Sequence, residues 1–225
     1  MVVIVFLVFL LIPIVLLLGK SFEGGGGVSL EHYADVAGGK GFAAAFGRSI
    51  FVSCVSAVLT TALAFVLAYT IHYTNVPGGL KKFIRLAAVV PMLLPTITYG
   101  FAIIYSFGRQ GFITGMIGHQ MFEIYGFYGL LLGYVIYTLP ISFMLILNTM
   151  CFIDKKFMIV SRIMGDSPLK TFLGTVIRPL LGTLAASFVQ CFFLCFTDFG
   201  IPASVGGQYD VVATVLYNEM LGSVP

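Results

Sequence analysis

The chain has 225 residues, of which 59% are hydrophobic and only 9% charged, and its mean hydropathy is +1.05. That composition excludes a soluble globular domain and places the chain in a membrane. The net charge of +3 rests on a few basic residues whose positions report topology, and it carries no implication of nucleic-acid binding.

Apolar segments near 1–19, 49–71, 86–107, 126–150 and 180–197 are each long enough to cross ~30 Å of hydrocarbon. They predict five transmembrane helices in an all-α, multi-pass bundle of the cell membrane. No ten-residue strand-like alternation repeats along the chain, which argues against a membrane barrel. Two loops carry eight of the twelve Lys and Arg: Lys81, Lys82 and Arg85 in 72–85, and Lys155, Lys156, Arg162, Lys170 and Arg178 in 151–178. Loops 20–48, 108–125 and 198–225 hold the other four but seven of the nine acids. Because positively charged loops stay cytoplasmic, the N-terminus is expected inside and the C-terminus outside.

Residues 1–19 lack a basic n-region and are longer than a usual signal core, so a first span is preferred over a secretory signal. Gly24 to Gly27 then read as a flexible external linker, since no Lys-Ser or Lys-Thr opens a helix after them. Gly19-Lys20-Ser21 is no P-loop either, because Ile14 stands where its first glycine belongs. Ser29 to Asp35 predict a short polar helix or turn. In the second span Ser49, Ser53, Ser56 and Thr60 share one face, which suits close helix packing, with pore lining as the alternative. In the third span Pro91 and Pro95 remove two backbone donors, so the helix should bend or open. Irregular backbone at membrane depth is tolerated where it is buried or lines a cavity, which makes Pro95 to Gly100, with Tyr99, a candidate translocation path. A plain proline kink explains the same residues.

Tyr105, Tyr125 and Tyr128 fall where interfacial anchors are common, and Pro140 interrupts the fourth span. Gln190 is the amide inside the fifth span, on one face with Gly182 and Ala186. An interhelical hydrogen bond is preferred there over substrate contact. The spans hold no ionisable residue at mid-membrane depth. Asp198 and Glu123 sit at edges, and His32, His72 and His119 are scattered through loops. Cys54, Cys151, Cys191 and Cys195 lack CxxC spacing and read as inert small hydrophobes. No catalytic or metal-binding residues are assigned.

The long polar segment 153–179 predicts a helix, a tight turn and a helix. Asp154 can cap the first helix, on which Phe157, Val160, Ile163 and Met164 fall at helical spacing. Gly165 suits a left-handed C′ position, Ser167 an N-cap and Pro168 a first helical turn. This segment resembles the EAA loop of binding-protein-dependent ABC importer permeases. Arg162, Gly165, Ser167, Phe172, Val176 and Pro179 stand where that pattern has Arg, Gly, a small polar residue, Phe, Val and Pro. Ile159, Val160 and Ser161 replace its Glu-Ala-Ala, so no role of that glutamate transfers. The segment TDFGIPASVGGQYDVVATVLYNEM separately resembles the external region after the fifth helix in permeases of the ferric-iron and 2-aminoethylphosphonate type.

The resemblance implies a type I importer transmembrane domain over 45–225, preceded by a first helix and external loop over 1–44. It also implies an ATPase subunit docked on Phe157, Val160, Ser161, Arg162, Gly165, Asp166, Ser167, Phe172 and Pro179. An extracytoplasmic substrate-binding protein and a second permease half complete the expected partners. ATP would be bound by the ATPase, with no cofactor on this chain, and ferric iron or 2-aminoethylphosphonate would be the cargo. Such permeases have six helices per half, so a chain ending at Pro225 reads as an incomplete half. A membrane-embedded enzyme, or a passive channel or assembly factor, is the competing expectation.

Overall fold

The computed structural model describes residues 1–24, 27–39 and 41–222. Gly25 and Gly26, half of the glycine run, lie outside the described residues. The chain forms two compact units, Met1–Phe46 and Gly47–Pro225.

In the first unit, Val2–Phe6, a π-helical turn Leu7–Leu11 and Ile12–Ser21 follow one another as one helix, α1. Its stretch Ile4–Ser21 is apolar enough to cross a membrane. A two-residue hairpin, β1 (Glu23–Gly24) with β2 (Gly27–Val28), leads to α2 (Glu31–Gly38). Ser29 Oγ accepts from the Glu31 N–H at 3.0 Å, so the expected polar helix begins at a serine turn.

The second unit is a helical bundle. Its long elements are α3 (Phe42–Tyr73) from Gly47 onward, α7 (Phe127–Cys151) and α9 (Pro168–Thr197). The spans are longer than the hydropathy suggested: α3 starts seven residues early, and α9 starts at Pro168 where 180 was expected. Between α3 and α7 lie α4 (Gly78–Val89), a 3-10 turn Val90–Leu93, α5 (Thr96–Phe107) and α6 (Phe112–Ile117). The third span is therefore a broken pair, bent by 116° between Leu93 and Thr96. Leu94 precedes Pro95, whose ring disfavours a helical residue before it. Leu94 accordingly sits at φ −102°, ψ 142°, and Pro95 is extended too. Lys81, Lys82 and Arg85, assigned to a loop by composition, stand on α4 because that helix already begins at Gly78. Pro140 does not interrupt α7, which runs unbroken through it with the ring buried.

α8 (Lys156–Ile163) precedes α9; α10 (Gly200–Val205) and α11 (Val212–Gly222) follow it. α9 carries a π-helical turn, Leu173–Ile177, just before Pro179. A proline ring clashes with the carbonyl four residues back in a regular helix, and a π turn relieves that.

Three helices share one sequence of layers. Val52 on α3, Leu130 and Tyr134 on α7, and Cys195 on α9 belong to one apolar cluster; Ala64 and Ala68, Phe143 and Ile146, and Val176 and Leu180 belong to another. Between them lie hydroxyls. Thr138 donates to the Tyr134 carbonyl at 2.7 Å, so Thr60 donates to Thr138 at 3.0 Å. Ser187 donates to Ser142 at 2.8 Å, and Ser142 lies 2.8 Å from Cys191 Sγ. Ser49, Ser53, Ser56 and Thr60 are all buried, which is the packing role of that face. Cys54 is half-buried, and Cys151 is exposed at the end of α7.

Candidate functional site

The 153–179 segment folds as a locked hairpin. The Asp154 carboxylate accepts from the Lys156 N–H at 2.9 Å, although the helix boundary falls one residue later, at Lys155. At the other end Gly165 has φ +85°. Its N–H reaches the Arg162 carbonyl at 3.0 Å, and the Asp166 N–H reaches the Ser161 carbonyl at 3.2 Å. This paired closure is a Schellman motif, and it requires the left-handed residue. Ser167 Oγ then accepts from the Lys170 N–H at 3.4 Å, with Pro168 in the first turn of α9.

Side chains staple the two helices. Ser161 Oγ donates to Asp166 Oδ2 at 2.8 Å and lies 3.1 Å from Thr171 Oγ1, while Lys170 Nζ pairs with Asp166 Oδ1 at 2.5 Å. The hydrogen bonds from Lys170 and Ser161 hold the Asp166 carboxyl below the usual carboxylate range. In the sequence Lys170 reads only as a loop charge and Thr171 carries no signal, because a staple across a turn has no helical period. Phe172 packs edge-on against Tyr69 and Phe65 of α3, at 5.7 and 6.2 Å between centroids. Met158 turns inward against the lower apolar cluster.

What this scaffold presents is apolar. Phe157 is 63% exposed, Val160 51%, Ile163 80% and Met164 78%. These exposed apolar side chains stand at helical spacing on a hairpin that polar side chains staple. Arg162 and Pro179 are exposed as well. Lys155 Nζ donates to the His72 carbonyl at 2.5 Å, which brings the two basic segments, 72–85 and 151–178, to the same end of the unit. His72 itself lies in the last turn of α3 and not in a loop.

Of the candidate path residues, Tyr99 and Gly100 are buried, and Pro95 and Gln190 are exposed. Tyr99 is buried and its hydroxyl donates to the Pro91 carbonyl, closing the broken turn. Gly100 is buried where α5 meets α10: a Cβ there would lie 1.6 Å from Ser204 Oγ. Gly200 meets Thr96 on the same terms, with a Cβ 2.2 Å from its Oγ1. Pro95 is exposed at the break. Gln190 is exposed on α9, and the expected interhelical hydrogen bond is not made among the described residues.

The segment after α9 also differs from a plain external loop. Ile201 and Val205 of α10 are fully buried among Tyr134, Ile103 and Leu130. Asp198 is 8% exposed, and its carboxylate accepts from the Ile201 N–H at 2.9 Å. A capped, apolar six-residue helix has enough satisfied backbone to be buried, and FGIPASV shows no helical period long enough to announce it.

No family model matches the chain. It is 25% identical over 222 residues to the ferric transport system permease protein FbpB of Actinobacillus pleuropneumoniae, a match covering 96% of this chain and 32% of the relative. The chain thus spans about a third of the length of that relative. Other relatives carry sulfate, thiamine and spermidine/putrescine transport system permease names. Among solved structures, a bacterial ABC transporter involved in alginate import superposes with a TM-score of 0.81 at 14% identity, covering 98% of this chain and 82% of that one. A structure of bacterial alginate ABC transporter in complex with alginate pentasaccharide-bound periplasmic protein gives a TM-score of 0.76 at 14% identity, covering 98% and 81%. The relatives are ABC transport-system permeases, and this multi-pass membrane chain has the fold of an ABC importer transmembrane domain.

Proposed function

We propose that the chain is a permease subunit of an ATP-driven importer, coupled through the 153–179 hairpin to a separate ATPase that binds and hydrolyses ATP. The observation that carries this reading is the hairpin itself: Phe157, Val160, Ile163 and Met164 exposed on a turn that Gly165, Ser161, Asp166 and Thr171 hold rigid. A mobile loop would lose a push, whereas a stapled one transmits it. The basic end, with this hairpin, is cytoplasmic, and the end carrying Glu123, Gly207 and Asp210 faces outward.

Two further partners belong to this reading. Gly182, Ala186 and Gln190 form an exposed stripe on α9. Small residues let a neighbouring helix approach, and an unsatisfied amide in hydrocarbon calls for a partner. That partner is a second permease half, in the same polypeptide or a separate chain. An extracytoplasmic binding protein selects the cargo at the outward end, as the periplasmic protein of the alginate complex suggests. Ferric iron is the first cargo to test, on the ferric permease relatives; 2-aminoethylphosphonate rests on the sequence resemblance alone.

The test is a cysteine at Val160 in an otherwise cysteine-free complete transporter. It should cross-link to the nucleotide-binding subunit and resist an impermeant thiol reagent in intact cells, while a cysteine at Gly207 should label. Labelling at 160 and protection at 207 would reverse the topology and remove the coupling role with it.

A further inference from the structure

We propose that the cleft between α4 and α7 is a binding site for an anionic phospholipid, with the headgroup held by Lys82 and Arg85. The cleft encloses about 660 Å³, within the range of roughly 300–1,000 Å³ typical of ligand clefts. Its walls are segregated along the two helices. Lys82 and Arg85 line it toward the basic end of the bundle, and Leu86, Val89, Met144 and Leu147 line it further along α4 and α7.

The segregation follows from helix geometry. Positions 82, 86 and 89 of α4 share a face, as do 144, 147 and 148 of α7, so one groove runs from charge to hydrocarbon. A second depression of about 400 Å³ shares Lys82 and Arg85 and adds Lys81 and Lys155. Four cations therefore surround the mouth. Lys81 Nζ donates to the Thr74 carbonyl at 2.7 Å and Lys155 Nζ to the His72 carbonyl. Lys82 and Arg85 make no ion pair with any described residue.

Two uncompensated cations over an apolar slot match one chemistry: a phosphate with acyl chains attached. Basic pockets between transmembrane helices at the interface suit anionic headgroups, and each cation near the surface contributes about fivefold in affinity. A free anion leaves the apolar part of the slot empty, and a neutral lipid leaves the cations unanswered.

The test uses the complete permease complex, delipidated in mild detergent, with bound lipid counted by native mass spectrometry. Phosphatidylglycerol should be retained over phosphatidylcholine of identical chains, and Lys82→Gln with Arg85→Gln should erase that preference, a loss on the order of 25-fold. Arg178→Gln, at the same end but outside the cleft, should leave it unchanged. Met144→Trp should lower retention of both lipids by filling the slot. Equal retention of the two lipids in the native complex, or a preference that survives the double substitution, overturns the proposal. Displacement of the lipid by millimolar inorganic phosphate would overturn it too, as would cross-linking of Met144→Cys to the second permease half, since each names a different occupant.

Discussion

The turn at Gly165 and the crossing of α5 with α10 both depend on glycine, for opposite physical reasons. At Gly165 the backbone is left-handed at φ +85°, yet an added Cβ would meet nothing within 4 Å. At Gly100 the backbone is ordinary helix, yet an added Cβ would fall on Ser204. The first region is exposed and constrained by conformation, so its cost is local. The second is buried and constrained by space, so its cost is paid by the whole bundle. The hairpin can therefore be altered without unfolding the spans, whereas the helix crossing cannot.

The steric half of this contrast predicts the largest effect. Gly100→Val in the complete permease should lower stability in detergent by about 1–3 kcal/mol or more, read as a drop in thermal midpoint. Ser204→Gly should restore part of it, because the clash is with that side chain alone to within 3.6 Å. No rescue would mean that α10 is not seated on α5.

A smaller, conformational effect is expected from Gly165→Ala, about 1–2 kcal/mol confined to the turn. Hydrogen exchange should quicken at the Asp166 amide and stay unchanged along α7. Smaller still is Thr60→Val, about 0.6 kcal/mol, because Thr138 keeps its bond to the Tyr134 carbonyl. The least effect at neutral pH belongs to Asp166. Its carboxyl is held below its ordinary value of 3.8 by Lys170 and Ser161. A lowered folded-state value means that the staple is fully present above 3.8 and is lost only as pH falls through that lowered value. Hairpin protection should be flat across neutral pH and fail only in strong acid, with Asp166→Asn removing that acid transition.

Much of this was legible in the sequence, and the boundary is instructive. Gly165, Ser167 and Pro168 could be read because caps and turns are local, set by residues within about four positions. The break at Pro95 was legible for the same reason. The expected partner of Gln190 was not found, and the α5–α10 crossing was not foreseen, because both depend on what lies across the bundle. Pro140 misled for a related reason: its helix is held by the tertiary packing around Tyr134 and Phe143, which a local rule for proline does not include. The staple Ser161–Asp166–Thr171 sits between these cases, near in sequence but aperiodic.

The most direct test of the account is Gly165→Val in the complete transporter, followed by ATPase co-purification and substrate-stimulated hydrolysis at matched membrane abundance. Normal abundance is expected, with a smaller fall in thermal midpoint than Gly100→Val gives and with loss of association or stimulation, since only the turn presenting Phe157, Val160 and Met164 is disturbed. Full association and full stimulated hydrolysis in that variant would contradict it and leave 153–179 an ordinary connection between two spans.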